Sequence, residues 1–553
     1  MIKSFFRHFG IHVGRVTGAS LLLACTLTSC DSDNRPGLAV TSPTPDITML
    51  DQAYEHYQEP RIQHRRFKHA DLEQILLEHQ ARAVLNMSEI GRSVEDRSIY
   101  GLTYGEGTKK VMMWSQMHGN EPTATMALLD IFNFLEDHVP AIEAASDSTV
   151  LPPEHAELSP ELAEQFQKVR ELLREKLTLH FIPMLNPDGS NRFIRRNALD
   201  IDLNRDAREA VTPEGRLLKA YAHDVKPDFG FNLHDQNIYY NVPGTPVPVT
   251  IALLAPAYNY EREINDVRGR AIKVAAGMNK LLQSVIPGAV ARYDDAYSPR
   301  SFGDNFQSWG TSTVLIESGG YKGDPEKLYI RKLNFMIILN ALIEIAEGSY
   351  EGHLVSDYED MPVNDNKLFD LLLRRVRVSY NDSLSYLVDL GINRNEIHLD
   401  TTFSIQSRIS DLGDLGENFG YDELAARESA ASDGDGAGEG SGGGELVFVP
   451  GKIHPRVFAH VGQIDHETAL EFLREGYCAV QVSRVDAGAG ALHDLPLVIF
   501  NQRRPALDTP PAVGREANFF LARSDGKLVY AVVNGYLIDL ADVRLRTDAR
   551  PHH

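Results

Sequence analysis

Short apolar runs alternate with longer helical stretches between residues 54 and 350, and that alternation predicts an α/β fold. The runs at 110–116 (KVMMWSQ), 177–185 (LTLHFIPML), 229–233 (FGFNL) and 313–316 (TVLI) are nearly continuous in apolar residues. Strands buried on both faces read this way, so the expected sheet is mixed but mostly parallel, with helices on both faces. Beyond residue 445 the runs LVFVPG, CAVQVS, LPLVIF, NFFLA and LVYAVVNGYLI predict a β-rich C-terminal region.

The chain has 553 residues, enough for two to four domains, because single cores stop growing near about 250–300 residues. Residues 1–29 stand apart. Lys3, Arg7 and Arg15 occur without any acid, and an apolar run follows at 16–27. That run is too short for a bilayer span of about 20 residues and fits a cleaved secretory signal. It ends in Leu27-Thr28-Ser29-Cys30, then Asp31. Residues 30–50, rich in Pro, Ser, Thr and Asp, read as a tether. The segment 51–350 is the expected catalytic domain, with helical periodicity at 123–135, 160–176 and 330–347 and a surface insertion within 136–160. Residues 354–428 read as an accessory α/β segment. Within it, 364–378 is expected to be helical, with Leu368, Leu371, Leu372 and Val376 on one side, and 396–410 alternates like strands. Residues 429–445 (SAASDGDGAGEGSGGGE) read as a flexible linker or loop, followed by a β-rich module at 446–553. Either 354–553 is one domain with 429–445 as a long loop, or it is two small domains.

Composition removes several function classes. Lys and Arg total 55 against 77 Asp and Glu, a net charge of −22, which leaves no basic footprint for nucleic acid. A hydrophobic content of 43% excludes global disorder, and three cysteines exclude a disulfide scaffold. Cys478 lies in a strand-like run and reads as a small buried hydrophobe.

The ends of the predicted strands carry the chemistry, where open α/β sheets put their sites. The first run leads into His118-Gly119-Asn120-Glu121-Pro122. Two metal-ligand types stand three residues apart there, with Gly and Asn suited to a tight turn and Pro suited to a first helical turn. The second run leads into Asn186-Pro187-Asp188-Gly189, locally a good β-turn. Arg195, Asn197, Asn204 and Arg205 follow within eleven residues, and forked guanidiniums with amide donors suit a carboxylate. Arg192 and Arg196 read as solvated. The third run ends at His234 and the fourth at Glu317. A carboxyl at the edge of a sheet core has a raised pKa, as a general base near neutrality needs.

Taken in order, His118-x-x-Glu121, the NPDG turn, the Arg195–Arg205 run, His234 and Glu317 resemble the zinc metallocarboxypeptidases of the carboxypeptidase A type, peptidase family M14, over about residues 85–350. The resemblance implies a carboxypeptidase-like fold and one zinc ion per chain, held by His118, Glu121 and His234. It implies that Asp202 accepts a hydrogen bond from the first ligand histidine. Arg195 would polarise the scissile carbonyl, and Asn204 and Arg205 would hold the substrate's terminal carboxylate. Glu317 would be the general base. Tyr297 is the candidate for the family's mobile substrate tyrosine, with Tyr293 as the alternative. The pocket for the last side chain falls near Gly303 and Asp304, within one or two residues. Two departures stand out: Asp200 replaces the usual Gly, and Asp235 follows the third ligand where a small residue is common. Separately, residues 27–30 resemble a bacterial lipoprotein box. This implies lipidation at Cys30 and cleavage before it. The protein would then be anchored to membrane on the periplasmic side of the cell envelope, inner or outer. Cleavage would remove three positive charges and leave about −25.

Three functions follow as expectations. The first is a zinc carboxypeptidase acting on peptides. The second is a cell-wall peptide amidase, endopeptidase or deacylase with the same zinc site. The third is an inactive peptidase-like binding protein, which the complete set of ligands and base argues against.

Overall fold

The computed structural model describes residues 47–140, 158–399, 402–425, 445–484 and 495–541. The signal, Cys30, most of the tether, the bulk of the 136–160 insertion and nearly all of 429–445 lie outside the described residues. The tether ends earlier than expected, because Ile47–Tyr57 is a helix, α1, that buries Met49, Leu50, Ala53, Tyr54 and Tyr57.

The first sheet has eight strands: β1 (Asn86–Arg92), β2 (Ser98–Tyr104), β3 (Lys109–Trp114), β4 (Leu177–Ile182), β5 (Phe229–Asp235), β6 (Ile251–Leu254), β7 (Val290–Arg292) and β8 (Ser312–Ser318). They lie in the order β1-β2-β4-β3-β5-β8-β6-β7. The central four run parallel, as do β6 and β7, and the other pairings are antiparallel. Side-chain alternation buries both faces. On β3, Val111 and Met113 enter one apolar cluster while Met112 and Trp114 enter another.

Helices cover both faces. The larger cluster takes in α1, α2 (His69–Arg82), α3 (Thr123–Glu136), α4 (Pro160–Lys176), α7 (Asp266–Val285) and α9 (Leu328–Glu347). The smaller takes in α6 (Pro213–Val225) and α8 (Phe302–Ser308), and α5 (Pro187–Arg192) is a short helix after β4. Helix α4 starts at its Pro because Ser159 caps it, accepting from the Leu162 amide at 3.2 Å. On α9, the wholly buried Arg331 donates to Asp130 of α3 at 2.7 Å and to the carbonyls of Ile62 (2.6 Å) and Glu59 (2.9 Å). This pair fixes α3, which starts two residues after Glu121. Removing either partner of such a pair typically costs about 3–5 kcal/mol.

Beyond α9 and the short α10 (Val355–Glu359), strands β9 (Leu368–Asn381), β10 (Leu384–Leu399), β11 (Thr402–Gly413), β12 (Phe419–Ala425) and β13 (Val447–Pro450) belong to a second sheet. The helix expected at 364–378 is therefore a strand. Leu371 and Leu373 pack into one apolar cluster and Leu372 into another, so both faces are buried, and a continuous apolar run of this kind fits either period. The chain then forms a parallel three-stranded sheet of β14 (Lys452–His460), β15 (Tyr477–Arg484) and β16 (Val498–Phe500), with α11 (His466–Arg474) between the first two. It returns to the second sheet as β17 (Phe519–Ala522), β18 (Leu528–Val533) and β19 (Tyr536–Asp539). The second sheet has the order β11-β10-β9-β13-β17-β18-β19, with β12 also beside β9. Strands from both sides of 429–445 share it, with Val447 paired to Arg377, so 354–428 and 446–553 are not two separate modules. The C-terminal part is β-rich, as expected, and the run around Cys478 is the buried middle strand of a βαβ unit.

Candidate metal centre and active site

Three parallel strands deliver the site. The chain leaves β3 at Trp114 and turns into α3 through 115–122, which carries His118 and Glu121. The turn is pinned by the loop after β4: Leu185 and Asn186 amides donate to Ser115 and Gln116 carbonyls at 3.1 and 3.0 Å. Gly119 is needed because a Cβ there would lie 2.0 Å from the Gly189 carbonyl carbon. Asn186-Pro187-Asp188-Gly189 opens α5 rather than forming a plain β-turn. Asn186 caps the helix through Gly189 N at 2.9 Å, and its amide also reaches the Met117 carbonyl at 3.2 Å. The local signals for a turn and for a helix start are shared, and only the chain that follows separates them.

His118, Glu121 and His234 are buried, and their ligand atoms lie within 4.8 Å of one another. Glu121 Oε2 is 2.8 Å from His118 Nδ1 and 2.7 Å from His234 Nδ1. Arg195 Nη1 lies 3.1 Å from His118 Nδ1 and can only donate, so the ring proton sits on Nε2 and is donated to Asp202 Oδ1 at 3.0 Å. Nδ1 then faces the Glu121 carboxylate lone pair to lone pair, and a cation between them removes that repulsion. Two imidazole nitrogens and one carboxylate are a donor set suited to zinc with an open position. A cation held by these residues would replace the Arg195 contact to Nδ1.

Asp202 is the partner that orients His118. Burial pushes its carboxyl up, but the His118 hydrogen bond and the charges of His118, Arg195 and Arg205 outweigh burial and hold it below its ordinary range. Arg195 bridges the group, with Nη1 3.0 Å from Glu121 Oε1 and Nε 3.1 Å from Asp202 Oδ2. Asn204 sits 3.4 Å from His234 Nε2 and accepts the Phe302 amide at 2.8 Å. Arg205 donates to the Asn204 carbonyl (2.7 Å) and to Ser301 Oγ (3.2 Å). Asn197 is not part of an anion site. It is buried in its own turn, accepting the Leu199 and Ile201 amides and donating to Glu214. Arg196 points to solvent, as expected. Asp200 keeps the left-handed conformation (φ 59°) that a Gly would take without strain, and Asp is among the residues that tolerate it.

Glu317 on β8 pairs in register with His234 on β5, so the base candidate stands beside a metal ligand. Burial, then the charges of Glu121 and Asp235, push its carboxyl well above the usual range. Asp235, the second departure, accepts from Thr123 Oγ1 at 2.6 Å and from Lys327 Nζ at 3.1 Å. Lys327 also donates to the Ser318 carbonyl at 2.9 Å. Sequence reasoning missed Lys327. The signal was an unusual buried acid after a ligand, which implies a cation somewhere, but only the fold shows that it comes 92 residues later. Of the two tyrosines, Tyr297 packs edge-on against Tyr260. The Tyr293 hydroxyl lies 3.4 Å from that of Tyr240, and its pKa is raised by burial and then by the charge of Glu317.

Residues 73–216 match the family model described as zinc carboxypeptidase, Peptidase_M14. An uncharacterized protein of Zymomonas mobilis subsp. mobilis is 26% identical over 208 residues, 37% of this chain and 45% of the relative, so the match spans under half of that relative's length. Among solved structures, a metallo-carboxypeptidase from Burkholderia cenocepacia is 18% identical with a TM-score of 0.38, covering 51% of this chain and 70% of its own. A metallo-carboxypeptidase from Pseudomonas aeruginosa is 15% identical with a TM-score of 0.37, covering 51% and 70%. Carboxypeptidase A from Helicoverpa armigera is 14% identical with a TM-score of 0.36, covering 52% and 74%. At these values the structural likenesses carry none of the argument, which rests on the sheet and the site described above.

Two outcomes follow. His234→Ala removes one of three ligands, and zinc per chain, measured by elemental analysis after dialysis, should fall well below one; full retention in single alanine variants of all three residues would remove this metal centre. Asp304, 8% exposed on α8, has its carboxyl pushed up to about 6 by burial, against the Ser298 amide that it accepts at 2.8 Å. Its folded-state pKa lies above the unfolded value, so the stability it contributes is present at low pH and is lost as pH rises through about 4 to 6. Asp304→Asn should therefore be more stable than wild type at pH 8, by at most about 3 kcal/mol, and equal to it near pH 4 in denaturant titrations.

Proposed function

We propose that the protein is a zinc-dependent metallocarboxypeptidase that hydrolyses the C-terminal peptide bond of peptides. The observation that carries this reading is the convergence of His118, Glu121 and His234 on one point, with Glu317 register-paired beside it. Zinc bound by these three residues would supply a Lewis acid and an acidified water.

The chain's own groups supply the rest. Glu317, with its raised pKa, takes the proton from the attacking water and returns it to the leaving amine. Arg195 lies within 3.0 Å of Glu121, close enough for its guanidinium to stabilise negative charge developing on the scissile carbonyl oxygen. Arg205 and Asn204 lie next to Ser301 and Phe302 on the segment that opens α8, and are the groups fitted to a terminal carboxylate. Tyr293 and Tyr297 both follow β7 and remain the candidates for the substrate tyrosine. We also propose that the protein is lipid-anchored at Cys30 on the periplasmic side of a bacterial envelope; the Cys30→Ala protein should then be released from membranes, and a soluble wild type of mature size would sink the anchor. No helix among the described residues is long and apolar enough to cross a membrane.

Glu317→Gln should bind zinc and substrate near normally while kcat falls by roughly 10²–10⁴. Arg205→Ala should lose about 2–4 kcal/mol of carboxylate recognition, so kcat/KM for free-acid peptides drops about 30- to 1000-fold. Amidated peptides lack that charge, so wild type should cleave them poorly and Arg205→Ala should cost little more. Equal cleavage of free-acid and amidated peptides by wild type would replace this reading with an amidase or endopeptidase acting on cell-wall peptides.

A further inference from the structure

A cavity of about 620 Å³ opens beside the metal ligands. At its inner end it is lined by Asn120, Glu121, Arg195 and Asp235, but not by Asn204, Arg205, Ser301 or Asp304. It therefore opens from Glu121 and Arg195 without reaching Arg205. On the reading proposed above, with the terminal carboxylate at Arg205, this is where the acyl side of the substrate lies.

Its far wall does not come from the first sheet. Arg394 and Glu396 of β10, Phe403 and Ile405 of β11, Tyr421 of β12 and Tyr536 of β19 all line it. That wall is tied down at several points. Arg65 and Arg66 both pair with Glu396, and the Arg66 guanidinium lies 4.8 Å from the Phe193 ring and 3.9 Å from the Phe403 ring. Lys322, just beyond Glu317, donates to the Tyr421 carbonyl at 2.9 Å and pairs with Asp422. The Tyr421 hydroxyl donates to the Ile238 carbonyl at 2.6 Å, and a Cβ on Gly320 would lie 2.1 Å from it, so it touches both loops that follow His234 and Glu317. Arg394 is answered by Asp370 and lies 4.2 Å from the Tyr536 ring. With its charges paired, the wall presents Phe403, Ile405, Tyr421 and Tyr536 beside them. Asn120 Oδ1 and Asp235 Oδ1 are buried acceptors with no partner among the described residues, and a peptide backbone brings N–H donors. The volume is that of a small-ligand pocket, about 300–1,000 Å³, rather than of a long groove.

We infer that the C-terminal β sheet forms the acyl-side binding wall of the active site and restricts substrates to peptides with a short acyl side, with Phe403 and Ile405 setting the accepted length. The test uses the full zinc-loaded chain and free-acid peptides that share their last two residues while the acyl side grows from one to roughly eight residues. Wild-type kcat/KM should peak at a short length and fall about tenfold or more, a loss of about 1.4 kcal/mol, for the longest. Ile405→Trp fills the cavity and should move the peak to shorter peptides; Phe403→Ala widens it and should restore the longer ones. Neither should alter the preference for the last residue. Ile405→Phe is the milder filling if the Trp variant does not fold. The same peptides titrated calorimetrically into the Glu317→Gln protein give a Kd series that scores the wall without turnover. A flat length profile in wild type, or profiles and Kd values unmoved by both variants, would overturn the inference. The free-acid to amide ratio tests the exopeptidase reading separately, so either can fail alone.

Discussion

The Glu121 carboxylate is the constraint on which the site depends. One of its oxygens faces Nδ1 of both His118 and His234, and the other faces Arg195. A carboxylate this buried stays ionised only with positive charge close by; Arg195 lies against one oxygen, and a cation held between the other oxygen and the two imidazoles would supply the rest. The fold supplies that environment from separate strands. β3 leads into the turn that carries His118 and Glu121, β5 carries His234, β8 carries Glu317, and the pinned Gly119 turn keeps the first two at the end of the parallel core.

A second balance sits next to the first. Glu121, Asp235 and Glu317 are three acids at the ends of adjacent elements, each raising the cost of charging the others. Lys327 answers Asp235 and also bonds the Ser318 carbonyl, so one ammonium ties the loop after His234 to the loop after Glu317. The uncompensated member of the three is Glu317, the group for which a raised pKa is useful. The C-terminal sheet bears on the same two loops from outside through Tyr421, which makes it part of the site's frame.

Much of the catalytic core was legible in the sequence because its signals are local. Continuous apolar runs marked β3, β4, β5 and β8, and helical periodicity at 160–176 marked α4. Which strand ends meet at His118, Glu121, His234 and Glu317 was implied by the resemblance to the M14 carboxypeptidases, not by the local patterns. The misreadings share one cause. At 364–378 and at the NPDG segment, a short stretch fits two structures equally well, and contacts from far along the chain decide between them. Lys327 and the cavity wall were invisible for the same reason: the wall residues lie up to 415 positions from Glu121, and no local pattern marks them. The choice between Tyr293 and Tyr297 turns on loop geometry after β7, which composition does not encode.

The most direct test of the metal centre is the location of bound zinc in crystals of the zinc-loaded protein, by anomalous diffraction at the zinc edge. One strong peak within about 2.0–2.2 Å of His118 Nδ1, His234 Nδ1 and a Glu121 carboxylate oxygen is the predicted result. No peak there in zinc-replete crystals, or a peak held by other residues, would contradict the account.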